Sequence, residues 1–107
     1  MKEQWRIVYT KDGLKDKRIA YTAGFKDKIE KLLEVIRENP FSNHPPYEKL
    51  IGDLAGAYSR RINYTHRLVY MVYKEEKTVK IISMWNHYVY IIIMLEEIYQ
   101  PEHSASM

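Results

Sequence analysis

The stretch Gly56-Ala57-Tyr58-Ser59-Arg60-Arg61-Ile62-Asn63-Tyr64-Thr65-His66-Arg67-Leu68-Val69-Tyr70 decides the fold. Two runs rich in aromatic and β-branched residues flank the tight turn Asn63-Tyr64-Thr65, the pattern of a β-hairpin. Gly56 to Ile62 predicts one strand and His66 to Lys74 the next. Glu75-Glu76-Lys77 predicts a second turn, and Thr78 to Asn86 a third strand. Turns this short join antiparallel neighbours. In the middle strand Leu68, Tyr70 and Val72 share one face, and Arg67, Val69, Met71 and Tyr73 share the other. The first set is the expected core side, which places Arg67 on the open face.

Working outward, Gln4 to Thr10 reads as a strand. Lys11 to Ala23 predicts a weakly amphipathic helix interrupted near Gly13, with Gly24 as its C-terminal stop. Phe25 to Asn39 predicts the clearest helix, because Phe25, Ile29, Leu32, Leu33 and Ile36 make one apolar stripe. It ends at Asn39-Pro40, since a residue before proline avoids the α region. Phe41 to Asp53 reads as a loop that Pro45-Pro46 stiffens around Glu48. Val89 to Tyr99 is apolar with Glu96-Glu97 inserted; it reads as a strand, a short helix or a segment that packs on a partner chain. Glu102 to Met107 is expected to be disordered.

A chain of 107 residues has room for one core, and 46% hydrophobic residues with a mean hydropathy of −0.49 fit an ordinary soluble domain. There is no cysteine, which excludes disulfides and a thiolate nucleophile. His44, His66, His87 and His103 lie far apart without cysteine partners, which argues against a zinc site. The N-terminus carries no signal-peptide core, and the apolar run Val89 to Leu95 is too short to span a bilayer. The expected location is cytoplasmic, with no membrane partner.

The net charge is +3, with Arg60, Arg61 and Arg67 close together. A local basic patch beside Tyr58, Tyr64 and Tyr70 points to a polyanion whose bases can stack, such as nucleic acid. Glu48 stands before this cluster and His87 after it. Cleaving RNA through its own 2′-OH needs a base for that proton, an acid for the leaving 5′-oxygen and a cation for the developing phosphorane. A carboxylate, a histidine and arginines supply these without a metal or other cofactor. The residue types alone leave open which of Glu48 and His87 is base and which is acid.

Glu48-Lys49-Leu50-Ile51-Gly52-Asp53-Leu54-Ala55-Gly56, Ser59-Arg60-Arg61-Ile62, His66-Arg67-Leu68-Val69-Tyr70 and His87-Tyr88 occur in an order and spacing that resemble the YoeB/Txe toxins of the RelE superfamily. The resemblance implies an α+β fold, with two N-terminal helices packed on one face of a twisted, mainly antiparallel β-sheet. It assigns residues 1–88 to the toxin domain and 89–107 to a C-terminal extension. It implies an endoribonuclease that enters the ribosomal A site and cuts bound mRNA without a metal. In that scheme Glu48 is the general base, Arg67 stabilises the phosphate, His87 is the general acid and Tyr88 assists beside it. Arg60, Arg61 and Lys49 would hold RNA. The implied partners are mRNA, the ribosome and its rRNA, and a YefM/Axe-type antitoxin that folds as it wraps the toxin. Homodimers are frequent in the family, and operator DNA is reached only through the antitoxin complex.

In the toxins resembled, the His-Tyr pair lies at or near the C-terminus, whereas 19 residues follow Tyr88 here. The extension either obstructs the cleft or turns away to extend a sheet or a dimer interface. The rival expectation is a non-cleaving binding protein on the same scaffold, a partner inhibitor or an antitoxin-binding decoy. A general RNA-binding module is a third.

Overall fold

The computed structural model describes residues 4–87, with backbone alone at positions 53 and 85–87. Its elements run β1 (Arg6–Tyr9), α1 (Lys11–Thr22), α2 (Lys26–Glu38), β2 (Glu48–Lys49), a 3₁₀ turn (Gly52–Leu54), β3 (Ala57–Arg61), β4 (His66–Tyr73) and β5 (Thr78–His87). The five strands form one sheet in the order β1-β5-β4-β3-β2. All neighbours are antiparallel except β1 and β5, which run parallel with Arg6 opposite Thr78. The expected α+β architecture is thus present. The parallel edge, which joins the first and last described strands, has no local signal in the sequence.

Thr10 starts α1 as its N-cap, its hydroxyl accepting from the Gly13 amide at 2.9 Å. The same hydroxyl donates to the Ile82 carbonyl on β5 at 2.6 Å, so the cap also ties the helix to the sheet. Gly13 does not interrupt the helix, contrary to the sequence expectation. It lies where α1 touches β5, and a Cβ there would sit 2.5 Å from the Ile81 carbonyl oxygen. The glycine permits close approach rather than a break. Gly24 does act as the stop. Its φ is +97°, and the amides of Gly24 and Phe25 donate back to the carbonyls of Tyr21 and Ala20.

The stripe on α2 is buried as its spacing predicts: Ile29, Leu32, Leu33 and Ile36 pack with Ala20, Ile62, Leu68, Tyr70, Val79, Ile81 and Met84. Leu68 and Tyr70 therefore face the helices, and half-buried Val72 packs on the same cluster. Val69 lies on the other face with Leu50 and Ala57. Inward-facing residues on β5 do not keep strict alternation, since Ile81 and Met84 are both in the core. Irregularities in the β4–β5 register between Arg67 and Tyr70 allow this change of parity. The Met84 amide at this irregularity donates to Asp16 of α1 at 3.1 Å.

Candidate active site

Glu48 lies on a strand rather than in a loop, which corrects the sequence reading. β2 is only two residues long, with Glu48 opposite Ser59 and Lys49 opposite Tyr58. Its pairing is extended by the Leu50 amide, which donates to the Ala57 carbonyl at 2.9 Å. A two-residue edge strand that follows two prolines leaves little apolar alternation to detect.

The segment leading to Glu48 is held from beneath by Arg60. This side chain is fully buried. Its Nη1 donates to the Pro45 carbonyl, its Nη2 to the carbonyls of Pro40 (3.0 Å) and Ser42 (2.8 Å), and its Nε to the Tyr70 hydroxyl (2.9 Å). Tyr70 donates in turn to the Pro40 carbonyl at 2.8 Å. Phe41 and Tyr47 each meet Tyr58 edge to face, and Tyr58 stacks on Tyr70. Burial pushes the Tyr70 phenol up to about 12, although the Arg60 charge pulls the other way. The expectation that Arg60 is an RNA contact therefore does not hold. Its guanidinium is inside the protein and bound to backbone carbonyls.

On the opposite face of the sheet, Arg67 and Glu48 form an ion pair, Nη2 to Oε1, at 3.0 Å. The two differ in exposure, 4% for the Arg67 side chain against 53% for that of Glu48. Arg67 Nε donates to the hydroxyl of buried Ser59. The arginine is thus fixed on both sides while the carboxylate half faces solvent. Arg67 keeps the predicted sheet face, but it is buried there against the Glu48 carboxylate and Ser59, so it is not an open surface cation.

Glu48 and Arg67 line a cleft of about 470 Å³ together with Lys28, Pro45, Pro46, Arg61, Ile62, Asn63 and Tyr64. Arg61 is exposed here, opposite Arg67 in register. Tyr64, at the tip of the β3–β4 turn, is 83% exposed and offers a bare ring at the cleft edge. Asn63 shapes that turn: its Oδ1 accepts from the amides of Thr65 (2.9 Å) and His66 (2.7 Å). Lys49 is exposed but alternates away from Glu48 along β2 and does not line the cleft. The structure therefore brings Glu48, Arg67 and Arg61 together and leaves Arg60 and Lys49 out. Ser59 and Lys28 are additions that residue type alone did not single out.

The backbone of His87 pairs with that of His66, next to the pair of Arg67 with Asn86. His87 therefore ends β5 beside the strand position that carries Arg67. Its side chain, that of Trp85, Tyr88 and the extension 89–107 lie outside what the structure describes. A second cleft, between the helices and β1, is lined by Tyr9, Lys17, Tyr21, Glu30 and Arg37 among others. Lys17 donates to the Tyr9 hydroxyl, and Tyr21 donates to Glu30. Its lining cations Lys17, Lys31 and Arg37 are balanced in number by Asp27, Glu30 and Glu34.

Two helices on one face of a five-stranded sheet, with a carboxylate–guanidinium pair in a basic cleft on the other, define a small α+β toxin of the RelE superfamily type. The fold is similar to that of the YoeB/ParE toxin from Agrobacterium tumefaciens, with a TM-score of 0.71 and 30% identity over 78% of this chain and 99% of that one. It recurs in the YoeB–YefM complex from Staphylococcus aureus, with a TM-score of 0.67 and 34% identity over 78% and 98% of the respective chains. Toxin YoeB of Streptomyces coelicolor is 40% identical over 67 residues, 61% of this chain and 80% of the relative. Residues 9–88 match the family model of the YoeB-like toxin of bacterial type II toxin–antitoxin systems, and the chain belongs to that family.

Proposed function

We propose that this toxin is an endoribonuclease that cuts mRNA in the ribosomal A site without a metal. The observation that carries the reading is the Glu48–Arg67 pair, 3.0 Å apart and half open to a cleft edged by Arg61 and Lys28. Cations at the rim draw in the RNA backbone, and the exposed Tyr64 ring provides a stacking surface for a base.

With a phosphate seated against Arg67, Glu48 is the member free to pivot, because it is exposed and the arginine is pinned. Glu48 takes the proton of the 2′-OH, and O2′ attacks the adjacent phosphorus. The negative charge that builds on the phosphoryl oxygens falls on the Arg67 fork, which is charged at every working pH. The bond from phosphorus to O5′ breaks, and His87 protonates the leaving oxygen, with Tyr88 beside it. The products are a 2′,3′-cyclic phosphate and a 5′-hydroxyl. Arg61 holds a neighbouring phosphate.

A YefM-type antitoxin is the proposed inhibitor. The family's place in toxin–antitoxin systems and the crystallised complex of the Staphylococcus aureus relative support this. The toxin works in the cytoplasm and reaches operator DNA only with its antitoxin; a homodimer is its proposed free state.

Purified antitoxin-free toxin added to a reconstituted translation system tests the activity. Primer extension should reveal cuts in the A-site codon that vanish with Glu48→Ala and with His87→Gln. Intact mRNA with folded wild-type protein would sink the nuclease reading, and growth arrest that survives both changes would favour a non-cleaving binder.

A further inference from the structure

We propose that Ser59 and Arg60, adjacent on β3, are positioning residues that set the two halves of the Glu48–Arg67 pair from opposite faces of the sheet. The consequence for rate rests on the nuclease reading above; the positioning itself does not.

Ser59 is fully buried on the cleft face. Its hydroxyl accepts from Arg67 Nε, while Nη2 of the same planar group meets Glu48. Two fixed points on a rigid fork fix its plane. Ser59 is also the residue opposite Glu48 in the β2–β3 ladder and opposite Val69 in the β3–β4 ladder. One small residue therefore spaces the strand that bears the carboxylate and orients the guanidinium that faces it. A larger apolar side chain would fill the place but would offer the arginine no acceptor.

Arg60 does the complementary work underneath. The three carbonyls it binds, those of Pro40, Ser42 and Pro45, all belong to the segment between α2 and β2. That segment must deliver Glu48 in register at an edge only two residues long. Burying a guanidinium is costly, and an apolar residue of similar volume commonly serves packing better. Four hydrogen bonds from one buried guanidinium to one loop and one tyrosine are accounted for if the loop's shape is what matters. Consecutive strand residues face opposite ways, so the dipeptide reaches both members of the pair at once.

The test uses the full chain as wild type, Ser59→Ala, Ser59→Thr and Arg60→Lys, with two readouts. One is single-turnover cleavage on programmed ribosomes, taken as a saturating rate and a half-saturating concentration. The other is NMR of the Arg67 Nε–H group and of the Glu48 amide in the free protein. Ser59→Ala should lower the saturating rate roughly 10²-fold, as expected for a displaced catalytic group, with half-saturation changed less than about threefold. Its Arg67 Nε–H signal should exchange faster, and Ser59→Thr should restore both. Arg60→Lys should keep the Arg67 signal, move the Glu48 amide and lower the rate roughly tenfold or more. The positioning claim is overturned if folded Ser59→Ala leaves the Arg67 signal unchanged, or if Arg60→Lys leaves the Glu48 amide unchanged. If wild-type toxin cuts nothing, the nuclease reading alone fails, and the resonances still decide the positioning.

Discussion

Glu48 and Arg67 touch each other, yet removing one is a different event from removing the other. Glu48 is half exposed and loses little packing of its own, so Glu48→Ala should cost about 1–3 kcal/mol in urea unfolding, the penalty of taking one partner from the buried Arg67, and less than a change at Arg67 itself. As the proposed base its loss should slow cleavage by about 10²- to 10⁴-fold. Arg67 is buried, and Arg67→Lys keeps a charge but discards the fork that spans Ser59 and Glu48. We expect that variant to lose both rate and stability, measured by primer extension and urea unfolding on the same preparations. Equal stability losses at the two positions would contradict the asymmetry. Both members of the pair were named in the sequence through the motif spacing of the toxins it resembles; their direct contact was not, because it depends on the pairing of β2 with β3. The role of Arg60 was not legible, because three nearby arginines read as one solvated patch. Strand parity already sends Arg60 to the helix side, but its partners are backbone carbonyls, which leave no mark in the sequence. Lys49 was misplaced for the related reason that its neighbour Glu48 lies on a strand, where adjacent side chains diverge.

At the level of elements, every α-helix and strand was legible except the two-residue β2. The α2 stripe and the β3–β4–β5 meander match their predicted extents within a few residues. β2 escaped because its pairing with β3 is tertiary. The register irregularities escaped because Asp16 and Thr10, which satisfy the groups at Met84 and Ile82, are about seventy positions away in sequence. Gly13 makes the sharpest test at this scale. In a free helix Gly→Ala is stabilising by about 1 kcal/mol. Here the new methyl would meet the Ile81 carbonyl at 2.5 Å, and backbone cannot step aside cheaply. Gly13→Ala should therefore destabilise by about 1–3 kcal/mol in urea unfolding. A more stable variant would show that α1 does not press on β5. Thr10→Ala should cost about 1–2 kcal/mol, because it removes the cap and the link to Ile82 together.

The whole molecule should feel Tyr70 through its alkaline stability. Its phenol is raised by burial from 10.0 to about 12 in the folded chain. Below pH 10 the folded and unfolded states are both protonated there, and the contribution is complete. Between pH 10 and 12 the unfolded chain gives up this proton more readily, so stability falls as pH rises, by an amount on the order of 2 kcal/mol. Tyr70→Phe should be less stable at pH 8, having lost the bonds to Arg60 and Pro40, but should show a shallower decline from pH 10 to 12. Urea midpoints at pH 8, 10 and 11.5 check this, and parallel declines in the two proteins would refute it.

The central claim is that one carboxylate and one guanidinium act on a single RNA phosphate. A double-mutant cycle on single-turnover mRNA cleavage, with Glu48→Ala, Arg67→Ala and the double variant, addresses it most directly. Groups that work as a unit are strongly non-additive, so the double variant should cleave about as slowly as the worse single one. Rate losses that multiply between two independent sites, or wild-type cleavage by either single variant, would contradict it.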